Sequence, residues 1–422
     1  MKRCGATDYL KRYAGDMPSL AEYEKQGGFQ GLRAALKFSP REIREMVSES
    51  GLRGRGGAGF PTGKKWQSLP PGEEGEQTIL VCNADEGEPG TFKDRYIMEH
   101  MPFLMLEGLV IAAYAIGAEK IYVYIRGEYP EVTERIMAAV QSAVKKSYLG
   151  EHVLGSEFSV SLDIRRGGGS YVVGDETALL NSLMGKRGFP WMKPPFPTEK
   201  GAWDLPTVVN NVETLACLPM ILTGGAEKFA SIGPAASPGP KLFCVSGAVR
   251  NPGVYEFPMG VTVREVVEAA GGVKGTLKAV QVGGTAGPVY TDAALDYKLD
   301  YESMKERGGV LGSGALVIMD SKTSMAGVLE IIMRFFSEES CGQCFPCRYG
   351  TRQLAYMANK IAAGRGRSEY IPLMVETTGI MEASSFCPFG QSVSIPLRTL
   401  LEGFGDEIER FIREQEYVKE VG

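Results

Sequence analysis

The sequence predicts a multidomain α/β protein: a parallel sheet covered by helices, then a small β-grasp module, then a C-terminal helical bundle built around cysteines. Three observations predict it. Strand-like and helix-like segments alternate from residue 78 to 164, the pattern that lays parallel strands under crossover helices. The stretch Gly233-Pro234-Ala235-Ala236-Ser237-Pro238-Gly239-Pro240 then collapses into small residues and proline, as a linker does. Beyond it, helical periodicity surrounds the run Cys341-Gly342-Gln343-Cys344-Phe345-Pro346-Cys347 and the distant Cys387. At 422 residues the chain exceeds one hydrophobic core. The expected units are 1–70 (a helical segment and glycine-rich loop), 71–240 (the parallel-sheet domain), 241–321 (β-grasp) and 322–422 (the helical domain).

Each element has a local reason. Ser39-Pro40-Arg41-Glu42 opens a helix with an N-cap serine, proline at the first helical position and a glutamate closing a capping box. Ile43, Met46 and Val47 keep the helical period. Residues 51–66 form a loop by glycine content. A buried strand is expected at 78–82, one long helix at 96–118, a strand at 121–125, a helix at 130–146 and an alternating strand at 158–164. After the linker, strands 241–246 and 253–257 pair around the turn Arg250-Asn251-Pro252-Gly253. A short helix (262–270) and strands 279–282 and 315–320 complete the module. Met325, Val328, Leu329, Ile332 and Met333 then share one helical face, and further helices flank Cys347 and Cys387.

Composition narrows the function. The chain is 44% hydrophobic and 23% charged, as in soluble globular proteins, and its net charge of −5 recommends neither nucleic acid nor an anionic membrane. The longest apolar stretch, 103–118, is interrupted by Glu107 and falls short of a bilayer span, so direct membrane insertion is not expected. Met1-Lys2-Arg3-Cys4-Gly5 lacks the apolar core of a signal peptide. Four cysteines cluster, and Cys4, Cys82, Cys217 and Cys244 are scattered, which suits a reducing cytoplasm better than a disulfide framework. With only His100 and His152 present, histidine-based acid–base or triad chemistry is not expected.

Cys341, Cys344, Cys347 and Cys387 match the ligand set of a cubane iron–sulfur cluster, which takes four thiolates, over chance clustering of buried thiols. Structural zinc, which also takes four-cysteine sets, is the alternative, and with it a non-catalytic binding scaffold. Zinc ribbons, however, join two separated C-x-x-C pairs, whereas this run is contiguous with a lone partner.

Three glycine loops precede the cysteines. Gly54-Arg55-Gly56-Gly57-Ala58-Gly59 matches G-x-G-x-x-G, but a helix precedes it and Phe60-Pro61 follows, the reverse of a dinucleotide fingerprint. It reads instead as a backbone nest for an anion, with Arg55, Lys64 and Lys65 adding charge. Asn83-Ala84-Asp85-Glu86-Gly87-Glu88-Pro89-Gly90 leaves the carboxyl end of the first strand, where open parallel sheets bind ligands. Its carboxylates Asp85, Glu86 and Glu88 repel phosphate and call for hydroxyl or amide donors. The third loop, Gly167 to Gly174, opens a helix at Asp175 and Glu176, and its amides suit a phosphate or a flavin edge. Lys193-Pro194-Pro195-Phe196-Pro197 reads as a rigid extended segment holding Phe196 ready to stack. Asn210-Asn211 supplies amides ahead of a helix with Glu213 and Thr214.

Together these stretches, from Ser39 to Leu400, resemble the flavoprotein, NADH-oxidising subunit of respiratory complex I and its relatives in NAD-linked hydrogenases and formate dehydrogenases. The resemblance implies a Rossmann-like flavin domain, a ubiquitin-like β-grasp (SLBB) domain and a four-helix domain with a 4Fe–4S cluster. It implies FMN held by Gly54, Arg55, Gly56, Gly57, Lys65, Asn83, Asp85, Gly174, Asn210 and Asn211. It implies NAD(H) held by Phe60, Glu86, Glu88, Glu176, Lys193 and Phe196, with Glu86 and Glu176 orienting the substrate. Tyr171, Asp175 and Thr214 complete the cofactor set, and the four cysteines hold the cluster. The implied activity is NADH dehydrogenase-type: hydride electrons pass from NADH to FMN, then singly to the cluster. The implied partners are a thioredoxin-like 2Fe–2S protein and further iron–sulfur subunits. The same module also serves NAD-linked or electron-bifurcating hydrogenases and formate dehydrogenases, whose thioredoxin-like and ferredoxin-like extensions this sequence lacks. Departures from the family pattern are Ser68 where a second aromatic is usual, Asp175 for a glutamate, and Phe386-Cys387-Pro388-Phe389-Gly390 for Cys-Ala-Leu-Gly.

Overall fold

The structure is a computed structural model that describes residues 18–70 and 77–421, with side chains described through 414. Cys4 lies outside the described residues. Strands β1 (Thr78–Ala84), β2 (Ala118–Ile125), β3 (Ser161–Arg166) and β4 (Thr207–Asn211) form a parallel sheet in the order β3-β2-β1-β4. The chain winds from β1 to β3 in one direction and returns with β4 on the other side of β1. The topological switch point therefore falls between β1 and β4, where such sheets bind ligands. The register sets Asn83 of β1 level with Asn211 of β4 and Tyr124 of β2.

Helices Lys93–His100, Pro102–Ile116 and Pro130–Lys145 cross over this sheet. The single helix expected at 96–118 is two, bent by 101° at Met101. Pro102 cannot donate to a preceding turn, and its ring fixes a first helical position instead. Helix Pro102–Ile116 is apolar all round because it is buried on every side. Its one charge, Glu107, accepts from Tyr23 Oη (2.6 Å), Phe29 N (2.8 Å) and Leu32 N (3.1 Å), which ties the N-terminal helices down. No single helix among the described residues is long and apolar enough to cross a membrane. Helix Pro40–Glu49 starts at Ser39 with the capping box its sequence announces. The third strand starts at Ser161, not 158, and β4 is a strand the composition did not announce.

The proline-rich stretch 233–240 is strapped, not free. Two of its carbonyls accept from arginines: Arg53 Nη1 donates to Ala236 O (3.2 Å) and Arg55 Nη2 to Pro238 O (2.7 Å). The Ser237 hydroxyl donates to Glu302. A second sheet follows, β5 (Pro240–Gly247), β6 (Gly253–Pro258), β7 (Leu277–Val282), β8 (Val289–Thr291) and β9 (Ala315–Asp320), in the order β6-β5-β9-β7-β8. Strands β5 and β9 run parallel and the other pairs antiparallel, with helix Val263–Ala269 packed on a core that includes Phe243, Val266 and Leu316. Helices Met325–Glu339, Phe345–Ala362, Tyr370–Ser384 and Ser394–Val421 close the chain around their own core of Leu329, Ile332, Phe336, Leu354 and Met381.

Candidate cofactor cleft and thiolate site

The carboxyl edge of the first sheet gathers all three glycine loops. Asn83 Nδ2 donates to Gly174 O (3.0 Å), and Asn83 Oδ1 accepts Asp85 N (3.0 Å), so one side chain joins the second loop to the third. On β4, Asn210 Oδ1 accepts Trp66 Nε1 (2.9 Å), and Asn211 caps the helix Val212–Ala216 through Glu213 N (3.1 Å). The first loop rests on this corner. Arg55 N donates to Thr214 Oγ1 (2.8 Å), and a Cβ on Gly56 would stand 3.1 Å from Asn211 Cβ. A larger residue at 56 would lift the loop off the sheet edge.

Below lies a buried charge cluster. Lys93 Nζ meets Asp94 Oδ1 (2.8 Å) and Glu213 Oε2 (3.1 Å), and Lys241 Nζ meets the same Glu213 oxygen (3.1 Å). All four side chains are buried, and such charges persist in a core only when paired. Asn211 Nδ2 donates to Asp94 Oδ2 (2.6 Å), so the cluster fixes the floor of the cleft. Burial pushes the Lys241 ammonium down to about 8 despite Glu213.

The carboxylates divide by role. Glu86 accepts Asp94 N (2.8 Å) and Arg95 N (2.9 Å), capping the helix Lys93–His100, whose own N-cap Phe92 offers no side-chain acceptor. Glu88 accepts Ala286 N (2.9 Å) from the β-grasp domain and pairs with the Tyr171 hydroxyl. Asp85 differs: both carboxylate oxygens are buried without a partner, and burial pushes its pKa up to about 7 against the opposing Arg126. On the third loop, which Asn83 joins to this one, a Cβ on Gly168 or Gly174 would meet no atom within 4 Å. An unpaired buried acceptor on one loop and open glycine backbone on the loop joined to it fit a flat ring with N–H donors and one edge against main-chain amides, as an isoalloxazine has.

Across the cleft, Lys65 Nζ donates to Glu176 Oε2 (2.8 Å) and Val209 O (3.1 Å), and Lys193 Nζ to Glu176 Oε1 (2.5 Å). Burial opposes ionisation of Glu176, but the two ammonium groups outweigh it and hold the carboxyl below its ordinary pKa. Asp175 is turned back as the N-cap of helix Glu176–Leu183, accepting Thr177 N (2.9 Å) and Ala178 N (3.2 Å). Of the first loop's three cations, Arg55 is fully buried and Lys64 is exposed, so Lys65 is the one that turns to the cleft. Phe60 and Phe196 are half-exposed, and Ser68 Oγ bonds Thr198 Oγ1 (3.2 Å), which brings their segments together. The chain bends at 193–195, where an extended segment was expected, and the Lys193–Pro194 and Pro194–Pro195 peptides are cis.

The four cysteines meet at the junction of two domains. Cys341 packs against the sheet-domain cluster of Val172, Val173 and Leu179, while Cys344, Cys347 and Cys387 belong to the helical core. Cys344 is the N-cap residue of helix Phe345–Ala362, whose first turn carries Cys347. Burial pushes Cys347 up to about 12, and the nearby Cys344, Cys387 and Cys341 add to the rise. Burial also raises Cys387, against two hydrogen bonds from Phe389 N and Gly390 N. A Cβ on Gly390 would stand 2.5 Å from Ser385 Oγ and 3.1 Å from Cys347 Cβ, so only glycine lets this loop close on Cys347. Among the described residues no three His, Cys, Asp or Glu side chains converge as a single-ion site.

Three contributors escaped the sequence. Arg126 leaves the carboxyl edge of β2 and faces Asp85, a position the strand pattern alone could have flagged. Asp94 carries Asn211, with no local motif to mark it. Glu339 binds the third loop from another domain, which only the tertiary structure reveals.

Comparison with known proteins agrees with this geometry. Residues 47–220 match the Nuo51 FMN-binding domain, 242–291 an SLBB domain, and 327–411 the NADH-ubiquinone oxidoreductase-F iron–sulfur binding region. The chain is 47% identical over 400 residues to the second F-type chain of the NADH-quinone oxidoreductase of Rhizobium meliloti, covering 94% of this chain and 95% of that one. It is 40% identical over 400 residues to HndC of the NADP-reducing hydrogenase of Solidesulfovibrio fructosivorans, covering 94% and 81%. The crystal structure of an NAD+-reducing [NiFe]-hydrogenase in the H2-reduced state superposes with a TM-score of 0.84 at 38% identity, over 95% of this chain and 67% of that one.

Proposed function

The chain belongs to the family of F-type NADH-quinone oxidoreductase chains, and from that premise we propose which residues carry its chemistry. It is an NADH-oxidising flavoprotein with FMN and a 4Fe–4S cluster. Bound FMN supplies acceptance of two electrons together and their release one at a time. Asp85 would accept from the ring's N–H edge, and the open backbone at Gly168 and Gly174 would let the ring approach. Asn83, Asn210 and Asn211 fix the loops around it, and the Gly54–Gly59 nest with Lys65 takes the anionic end. Glu176, held ionised by Lys65 and Lys193, accepts from sugar hydroxyls of NADH, while Phe60 and Phe196 offer faces for the adenine. Glu86, Glu88 and Asp175 act through the loops they brace. Cys341, Cys344, Cys347 and Cys387 hold the cluster at the domain junction. The protein works inside a multisubunit redox complex on the cytoplasmic side, with iron–sulfur partners, a thioredoxin-like 2Fe–2S protein among them.

The observation that carries the flavin assignment is the unpaired, buried Asp85, on a loop that Asn83 joins to open glycine backbone. Replacing it tests the assignment. In purified Asp85→Ala the FMN-to-protein ratio is expected to fall several-fold while the iron content holds. Full FMN retention would show that Asp85 does not hold the ring.

A further inference from the structure

Arg126 acts on Asp85 without bonding to it. Its charge favours the ionised carboxyl, yet both Asp85 oxygens are buried without a hydrogen-bond partner. The guanidinium is engaged elsewhere. Arg126 Nε donates to Glu128 Oε2 (3.2 Å) and Nη2 to Glu128 Oε1 (2.6 Å), a two-pronged pair, and Nη2 also lies 3.5 Å from Gly169 O. The Arg126 side chain is only 13% exposed, so its charge is poorly screened by water. The pair sits where the second and third loops meet: a Cβ on Gly87 would stand 2.1 Å from Arg126 Nη1, and one on Gly169 would stand 2.4 Å from Glu128 Oε1. Packing between the ends of β2 and β3 fixes the base of this fork. Ile125 O accepts Gly167 N (2.7 Å), and Gly127 O accepts Arg166 Nη2 (2.9 Å). A Cβ on Gly127 would stand 2.5 Å from Gly167 O.

Geometry and charge together give the pair a task. An ionised carboxylate accepts stronger hydrogen bonds than a neutral group, but burial drives it to take up a proton. A cation in direct contact would hold it ionised and occupy its oxygens. Glu128 prevents that by drawing off the guanidinium's donors, so Arg126 favours the anion through space while both oxygens stay free. We propose that Arg126 is a positioning residue for the flavin site: held off by Glu128, it keeps Asp85 anionic and open, ready to accept from the N–H edge of the ring. The proposal rests on the flavin reading above. Other groups bear on Asp85 too. Glu128, beyond the end of β2, and Glu339, on the helix Met325–Glu339, oppose its charge, and Tyr124 of β2 lies within its field. Substituting Arg126 leaves all three in place.

The test uses the full chain with its cluster, freed of FMN, and reads FMN binding by flavin fluorescence from about pH 6 to about pH 9. Arg126→Gln should raise the dissociation constant about tenfold at the acid end and hardly at all at the alkaline end, where the carboxyl ionises in both proteins. Titration of FMN itself is common to both and cancels in their ratio. In the Asp85→Asn background the same substitution should give a ratio indifferent to pH, as expected if the two residues act as one unit. Arg126→Lys keeps the charge and should bind FMN within about twofold of the wild type throughout. A ratio that is the same at every pH, as direct contact with FMN or general damage would give, would overturn the proposal. So would a pH-dependent ratio that survives Asp85→Asn, or a lysine variant that loses FMN in acid as the glutamine variant does. Should Arg126→Gln not fold, Arg126→Met carries the same comparison. A wild-type chain that takes up no FMN would sink the flavin reading and this proposal with it, whereas a flat ratio beside tight wild-type binding sinks this proposal alone.

Discussion

The main-chain N–H of Tyr171 donates to the carboxylate of Glu339 at 2.8 Å, so the glycine loop of the sheet domain is held by a residue two positions before Cys341. The Tyr171 ring continues the link. Its centroid lies 5.1 Å from that of Phe335 and 5.9 Å from that of Phe389, two residues after Cys387, and its hydroxyl pairs with Glu88. One residue thus touches the flavin-side loop, the carboxylate loop and both cysteine segments.

Loosening the contact tests it. In Glu339→Ala, hydrogen exchange at the Tyr171 amide is expected to rise roughly tenfold, about 1.4 kcal/mol, the worth of a hydrogen bond to a charged acceptor. Flavin reduction by NADH should proceed as before while cluster reduction slows. Glu339→Gln keeps an acceptor and should recover most of both. Equal slowing of the two steps would point to general damage.

Removing one thiolate should separate the two cofactors. Cys387→Ser is expected to lose most iron and sulfide and still show flavin bleaching by NADH. Iron and sulfide at the wild-type level in the purified variant would remove Cys387 from the ligand set.

Glu176 is expected to act on NADH, not on flavin. Glu176→Gln forfeits the ion pairs with Lys65 and Lys193 and should raise KM for NADH several-fold with FMN content unchanged. Because both cations hold the carboxyl below its ordinary pKa, KM should stay flat from about pH 6 upward in the wild type and climb only in acid. A KM insensitive to the substitution would contradict this role.

Asp85 gives the opposite pH dependence. Burial lifts its pKa from 3.8 to about 7. Between those values the folded chain keeps a proton that the unfolded chain has released, so stability falls as pH rises through the window and levels off above it. Thermal midpoints of the flavin-free chain should therefore drop from about pH 5 to about pH 8, and less so in Asp85→Asn. Parallel curves for the two proteins would show that the carboxyl is solvated or paired.

Much of this was legible in the sequence because local chemistry marked it. The Ser39–Glu42 box, the cysteine run and the glycine loops each announce themselves by composition, and the box starts its helix where the pattern points. Loop carboxylates carry no such mark. Glu86, Glu88 and Asp175 share one composition with Asp85, and only the tertiary partners show that the first three are spent on a helix end, a neighbouring domain and a cap. The break at Met101 was written in Pro102, but the apolar run on either side masked it. Strand β4, five residues ending in two asparagines, was too short to be told from the turn before a helix. The strap by Glu339 joins residues 168 positions apart, beyond any local pattern.

The most direct test of the central assignment is an anaerobic NADH titration of the purified protein, monitored by visible absorption and low-temperature electron paramagnetic resonance with iron, sulfide and FMN assayed on the same sample. The expected result is a yellow-brown protein with one FMN and a 4Fe–4S complement per chain, whose flavin band bleaches on NADH addition as a reduced-cluster signal grows. A colourless protein carrying zinc on its four cysteines and unaffected by NADH would contradict it.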